Sequence, residues 1–138
     1  MKKLVFIVED NLVQQKMLQV HFEETLGDYT VRTFDHPQEM LGALKEKPFA
    51  MVLDHFFNDK EGKTGLDFLK ILREQYKSIP VIYYTTLDDA HVRAEVMKLG
   101  AEQYILKDSA SLVRLRTALD SLHEKYANRG FFKKLFGS

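Results

Sequence analysis

Two runs, Leu4-Val5-Phe6-Ile7-Val8 and Phe49-Ala50-Met51-Val52-Leu53, carry no polar side chain and are five residues long each. Runs this short, rich in β-formers and bounded by polar residues, are what strands buried on both faces look like. The first ends in Glu9-Asp10 and the second in Asp54. If the two strands are parallel neighbours, their C-terminal ends bring three acids to one sheet edge. Open α/β sheets place their ligand sites at that edge. Three crowded carboxylates repel, so they coexist with a hard cation or with raised pKa values.

The rest of the chain repeats the alternation. Residues 11–26 are expected to form a helix, with Val13, Met17 and Val20 on one face and Leu18, Phe22 and Thr25 beside it. Gly27-Asp28 breaks it, and residues 29–34 alternate like a strand. Asp35 is a candidate cap for the next helix, with Pro37 in its first turn and Met40, Leu41 and Leu44 along it before Pro48. After the Asp54 strand, residues 55–64 form a loop, and Gly65 opens a helix carrying Leu66, Leu69, Leu72 and Tyr76. Pro80 leads into Val81-Ile82-Tyr83-Tyr84, ending in Thr85-Thr86. A helix from Asp88-Asp89 runs to Leu99 and stops at Gly100, with the two acids complementing the helix dipole. Residues 103–106 are the last strand and end in Lys107. The last helix, 110–126, spaces Leu112, Leu115, Leu119, Leu122 and Tyr126 as a core stripe. Five strands alternating with five helices predict an α/β fold: a three-layer, doubly wound, five-stranded parallel sheet of order 2-1-3-4-5.

The 138 residues suit one domain over 1–126 followed by a basic aromatic tail over 127–138. Formal net charge is zero, but the tail holds +3 and the rest −3. No global pull toward nucleic acid is therefore expected, and no direct nucleic-acid contact. No cysteine is present, which excludes disulfides and thiolate metal sites and suits a cytoplasmic protein. No stretch approaches the ~18 apolar residues of a membrane span. Lys2-Lys3 and its short apolar run are no signal peptide, because Glu9-Asp10 interrupts at once. His21, His36, His55, His91 and His123 lack zinc-site spacing. His55 should point away from Asp54 if the strand alternation continues. Gly62-Lys63-Thr64 resembles the end of a phosphate-binding loop but lacks the earlier glycine, so it is taken as a loop.

The polar residues at the strand ends form a set: Glu9 and Asp10, Asp54, Thr85-Thr86, and Lys107. Such a set suits phosphoryl transfer. Aspartate can accept a phosphoryl group as an acyl phosphate. A threonine hydroxyl and a lysine ammonium can contact its oxygens, so that catalysis is mostly positioning and charge stabilisation.

Residues 3–126 resemble a response-regulator receiver domain of two-component signalling. The segments carrying the resemblance are Val8-Glu9-Asp10-Asn11, Leu53-Asp54, Pro80-Val81-Ile82 through Thr85, and Gly100-Ala101-Glu102-Gln103-Tyr104-Ile105-Leu106-Lys107. The resemblance implies a flavodoxin-like fold and a phosphoacceptor at Asp54, served by a histidine kinase or a phosphotransfer protein. It implies that Glu9, Asp10, Asp54 and the backbone carbonyl of Phe56 surround Mg2+ or Mn2+. Thr85 would be the switch hydroxyl, Lys107 the phosphate-binding lysine and Tyr104 the aromatic that turns inward on activation. A downstream protein would read the face of the fourth helix, fifth strand and fifth helix.

Four departures stand out: Glu9-Asp10 in place of Asp-Asp, Thr86 where a small residue is usual, a long loop without Met-Pro after Asp54, and Asp108 rather than proline after Lys107. A cis bond without proline costs ~2.5–4 kcal/mol, so Lys107-Asp108 can be trans, with Asp108 or Ser109 capping the last helix. The resemblance implies that Phe56 and Leu87 flank the path of the hydrolytic water, and both are apolar, so neither could orient water. Self-phosphorylation followed by slow autodephosphorylation is therefore expected, not turnover as an enzyme. A phosphatase of the aspartyl-nucleophile type is disfavoured because position 56 is not an acid. The expected role is a stand-alone receiver. The alternative is a phosphorylation-independent interaction module, with residues 129–138 as a docking motif.

Overall fold

The computed structural model describes residues 2–136, with side chains as far as Arg129. Five parallel strands, β1 (Lys3–Val8), β2 (Tyr29–Phe34), β3 (Ala50–Leu53), β4 (Val81–Thr85) and β5 (Gln103–Leu106), form one sheet in the order β2-β1-β3-β4-β5. In register, Val8 lies beside both Phe34 and Leu53, and Thr85 beside Leu106, so the polar residues that follow share one edge. The helices are α1 (Leu12–Val20), α2 (Pro37–Leu41), α3 (Gly65–Gln75), α4 (Ala90–Lys98) and α5 (Ser111–Phe136).

Side-chain alternation along β1 divides the core. Phe6 and Val8 join Met40, Leu69, Leu72, Val96 and Tyr104 on the side of α2, α3 and α4. Val5 and Ile7 join Leu18, Phe22, Leu115, Leu119 and Leu122 on the side of α1 and α5. Both sheet faces are covered, as the all-apolar runs demand.

The structure corrects several local expectations. The α1 face that meets the sheet is that of Leu18 and Phe22, while Val13 is 79% and Met17 43% exposed. The helix passes into a π-helical segment, His21–Leu26, before Gly27 ends it at φ +75°. His36, not Asp35, caps α2, its Nδ1 accepting from the Gln38 N–H at 3.1 Å. Asp35 instead accepts from the Gln15 amide at 2.9 Å. The predicted second helix is one short helix, C-capped at Gly42, followed by a 3-10 turn at Leu44–Glu46. Tyr76 falls at the C-cap of α3 and is partly exposed. The last helix extends past 126 to Phe136.

Arg73 of α3 ties the far end of α4 in place. Its Nε donates to the Leu99 carbonyl at 2.7 Å, and its terminal nitrogens donate to the carbonyls of Ile79 at 2.8 Å and Gly100 at 3.3 Å. Orphan carbonyls at a helix C-terminus attract such a cation. Gly100 there adopts φ +82°, a left-handed conformation that costs glycine little.

Candidate functional site

The sheet register brings Glu9, Asp54, Thr85 and Lys107 together at the C-terminal edge. Lys107 Nζ donates to Glu9 Oε1 at 2.5 Å and to Asp54 Oδ2 at 3.0 Å. All three side chains are nearly inaccessible, between 4% and 11% exposed. Burial drives the Glu9 carboxyl above its usual range. The Lys107 hydrogen bond opposes this and the nearby Asp54 charge reinforces it. Burial alone would lower Lys107, but the two carboxylates outweigh it, so the ammonium is held charged above its ordinary value. The Lys107 stem lies against Tyr84, with Nζ 5.3 Å from the ring centroid. No cis peptide bond occurs among the described residues, so Lys107-Asp108 is trans. Asp108 lies in the turn that precedes α5, three residues before Ser111, and its carboxylate accepts from the Ala110 N–H at 2.9 Å.

Thr85 is fully buried, and its hydroxyl oxygen accepts from the Leu87 N–H at 3.2 Å. Thr86 beside it is exposed and does not crowd the cluster. Phe56, with half its surface exposed, and Leu87 contribute no side-chain hydrogen bond that could hold a water.

Asp10 stands apart from the Lys107 cluster. Its Oδ2 accepts from the Asn58 N–H at 2.9 Å, which ties the β1–α1 turn to the long loop. That loop is built around Asp59, which accepts from the N–H groups of Glu61 and Lys63 and from His36 Nε2 at 2.9 Å. Carboxylates and a backbone carbonyl are hard oxygen donors, the chemistry Mg2+ prefers. Among the described residues no three acids or histidines converge as a ready cation site. The geometry explains this, since Glu9 and Asp54 face Lys107 while Asp10 faces Asn58.

Behind the cluster stands a buried group that sequence reading did not connect. The His55 N–H donates to Asp54 Oδ1 at 2.6 Å. His55 Nδ1 lies 2.6 Å from the Tyr83 hydroxyl. Burial lowers the His55 pKa against the pull of Asp54, so the neutral ring can accept from Tyr83. Tyr83 stacks on Tyr104, with ring centroids 5.4 Å apart and planes 19° from parallel. Tyr104 is buried, and its hydroxyl donates to the Leu87 carbonyl at 2.5 Å. Gly65 opens α3 directly over this group. A Cβ there would overlap the Asp54 carbonyl and press on the Tyr83 hydroxyl. The sequence signals for the group were separate: His55 after Asp54, Tyr83 in β4 and Tyr104 in β5.

Two other histidines form bonds away from the cluster: His36, which caps α2, with Asp59 of the long loop at 2.9 Å, and His123 with Tyr29 at 2.8 Å. The aromatic and basic side chains of the tail, from Phe131 onward, lie outside the described residues. No described helix is long and apolar enough to cross a membrane.

Known proteins resemble this chain in sequence and in fold. The "Probable C4-dicarboxylate response regulator DctR" of Halalkalibacterium halodurans is 27% identical over 123 residues, covering 88% of this chain and 52% of that protein. The methanogenesis regulatory protein FilR1 of Methanothrix harundinacea is 30% identical over 115 residues, covering 80% of this chain and 25% of that protein. The chain thus spans about half the length of the first relative and a quarter of the second. Among solved structures, the response regulator TrrA of Thermotoga maritima, in complex with Mg2+-BeF, superposes with a TM-score of 0.73 at 21% identity, covering 87% of this chain and 98% of that one. The family model described as the response regulator receiver domain matches residues 5–120, most of the fold and every strand-end residue of the cluster, and the chain belongs to that family.

Proposed function

We propose that Asp54 accepts a phosphoryl group from the phosphohistidine of a histidine kinase or phosphotransfer protein, and that the acyl phosphate resets a protein-binding face. The observation that carries this is the Lys107 ammonium, held between Glu9 and the acceptor Asp54 beside a buried Thr85 hydroxyl. An Asp54 oxygen attacks phosphorus, the P–N bond breaks, and the imidazole leaves with its electron pair. Lys107 and the Thr85 hydroxyl then contact the phosphoryl oxygens, which are stronger acceptors than the carboxylate they replace. A hard divalent cation on Glu9, Asp10, Asp54 and the Phe56 carbonyl would supply further neutralisation of charge.

The donor has to approach over the strand ends. The exposed apolar side chains of α1 begin there, at Leu12, two residues after Asp10. Thr85 and Tyr104 both contact Leu87, which leads into α4, so the α4–β5–α5 face is the one to change. Its reader is proposed to be a protein. The domain carries net negative charge outside the tail, which argues against direct nucleic-acid contact. With apolar side chains at Phe56 and Leu87 no group orients a hydrolytic water, so the acyl phosphate persists. A half-life of seconds would overturn that part.

The test is treatment with acetyl phosphate and Mg2+, comparing the intact chain with Asp54→Asn by mass. A phosphoryl adduct on the first and none on the second is expected; equal outcomes retire the assignment. One observation favours the second reading, an interaction module independent of phosphorylation: Tyr104 is buried and is held by contacts to Tyr83, Arg93 and Leu87. Weak or absent Mg2+ binding by calorimetry would favour that module.

A further inference from the structure

The aromatic group behind Asp54 forms a chain of contacts, ending at Thr85, that phosphoryl transfer does not need. From Asp54 the path runs through the His55 N–H at 2.6 Å, and from His55 Nδ1 to the Tyr83 hydroxyl at 2.6 Å. It continues through the stacked Tyr83 and Tyr104 rings to the Leu87 carbonyl at 2.5 Å. It ends where the Leu87 N–H donates to the Thr85 hydroxyl at 3.2 Å. His55, Tyr83, Tyr104 and Thr85 are all buried. The Arg93 guanidinium of α4 gives Tyr104 a second partner, 4.6 Å from its ring centroid.

Turning Tyr104 outward would forfeit the stack, the Leu87 hydrogen bond and the cation–π contact together. It would also leave the Tyr83 ring facing a void, in a core where unfilled space is costly. None of these contacts involves a phosphoryl group. They are available to the unmodified chain.

We propose that Tyr83 is a positioning residue that clamps Tyr104 inward and, through His55, ties that ring to the strand end bearing Asp54, so that Tyr104 is in place before Asp54 is modified. This rests on the phosphoacceptor reading of Asp54 above, and replaces the expected inward turn of Tyr104 on activation with a ring that is already in place. Modification then enters the face through Leu87. A Thr85 hydroxyl that turns to a phosphoryl oxygen releases the Leu87 N–H, while the Leu87 carbonyl stays fixed to Tyr104.

The test labels the full chain with 3-fluorotyrosine and reads the Tyr104 fluorine resonance, assigned with Tyr104→Phe, against a soluble gadolinium chelate. In the unmodified wild type the signal is expected to be shielded from the chelate. Beryllofluoride with Mg2+ should leave it shielded. Tyr83→Leu should lose that shielding, and Tyr83→Phe, which keeps the ring, should retain it. An exposed Tyr104 in wild type that becomes shielded only on adding beryllofluoride overturns the proposal, and so does unchanged shielding in a folded Tyr83→Leu. If Tyr83→Leu does not fold, the wild-type measurement decides alone. A wild type whose backbone amide spectrum shifts with beryllofluoride and Mg2+ no more than that of Asp54→Asn would retire the phosphoacceptor reading while leaving the clamp intact.

Discussion

The two ends of the same sheet are held together by different physics. At the C-terminal edge, Lys107 is buried between Glu9 and Asp54, so three charges depend on one another. At the N-terminal edge, Tyr29 bonds His123 at 2.8 Å, the His123 ring lies 4.7 Å from Phe49, and Lys3 sits 5.6 Å above Phe49. Burial, helped by Asp120 and Asp28, pushes the Tyr29 hydroxyl up to about 12, so it remains a neutral donor. The first end is expensive to leave incomplete, because removing one charge strands the other two. The second is a set of nearly independent contacts, each removable at modest cost.

The sharpest way to break this contrast is Lys107→Met. Removing one member of a buried ion network leaves uncompensated charge and costs about 3–5 kcal/mol. Urea unfolding should show that loss, and adding Glu9→Gln should recover part of it. Simple additivity of the two changes would mean that the charges are not coupled. Next comes pH. The folded Glu9 carboxyl titrates above its unfolded value, so its contribution is complete below the unfolded pKa and is lost as pH rises through the folded one. The stability of wild type relative to Glu9→Gln should therefore fall as pH rises from about 4.5 toward neutrality. A relative stability that climbs over this range would reverse the assignment. At the aromatic end, Tyr29→Phe should cost about 1 kcal/mol, the net value of one hydrogen bond. Smallest is Lys3→Ala, about 0.5 kcal/mol for an exposed cation–π contact, and it should add to Tyr29→Phe without coupling. Strong coupling between those two would erase the distinction between the ends.

The strands were legible because period and length leave little choice for buried runs. The β5 strand, Gln103–Leu106, has the predicted ends, and the sheet has the predicted order. Helix α1 was harder because it has two adjacent apolar faces, and periodicity cannot say which one turns toward the sheet. Packing selects Leu18 and Phe22 and leaves Val13 and Met17 outside. The α2 cap went to His36 because a histidine nitrogen accepts the Gln38 N–H while Asp35 is engaged by Gln15. At the site, the residue types were legible one strand end at a time. Their pairings were not. That Glu9 reaches Lys107, that Asp10 turns to Asn58, and that Tyr83 joins His55 to Tyr104 are facts of sheet register and side-chain reach.

Arg73 has a mechanical consequence. Because its guanidinium grips the carbonyls of Leu99 and Gly100 from α3, one end of α4 is a pivot fixed to the body of the domain. The opposite end begins at Asp89, two residues beyond Leu87. A rod anchored at one tip moves most at the other, so a small displacement at Leu87 becomes a swing of the whole helix rather than a slide along its axis.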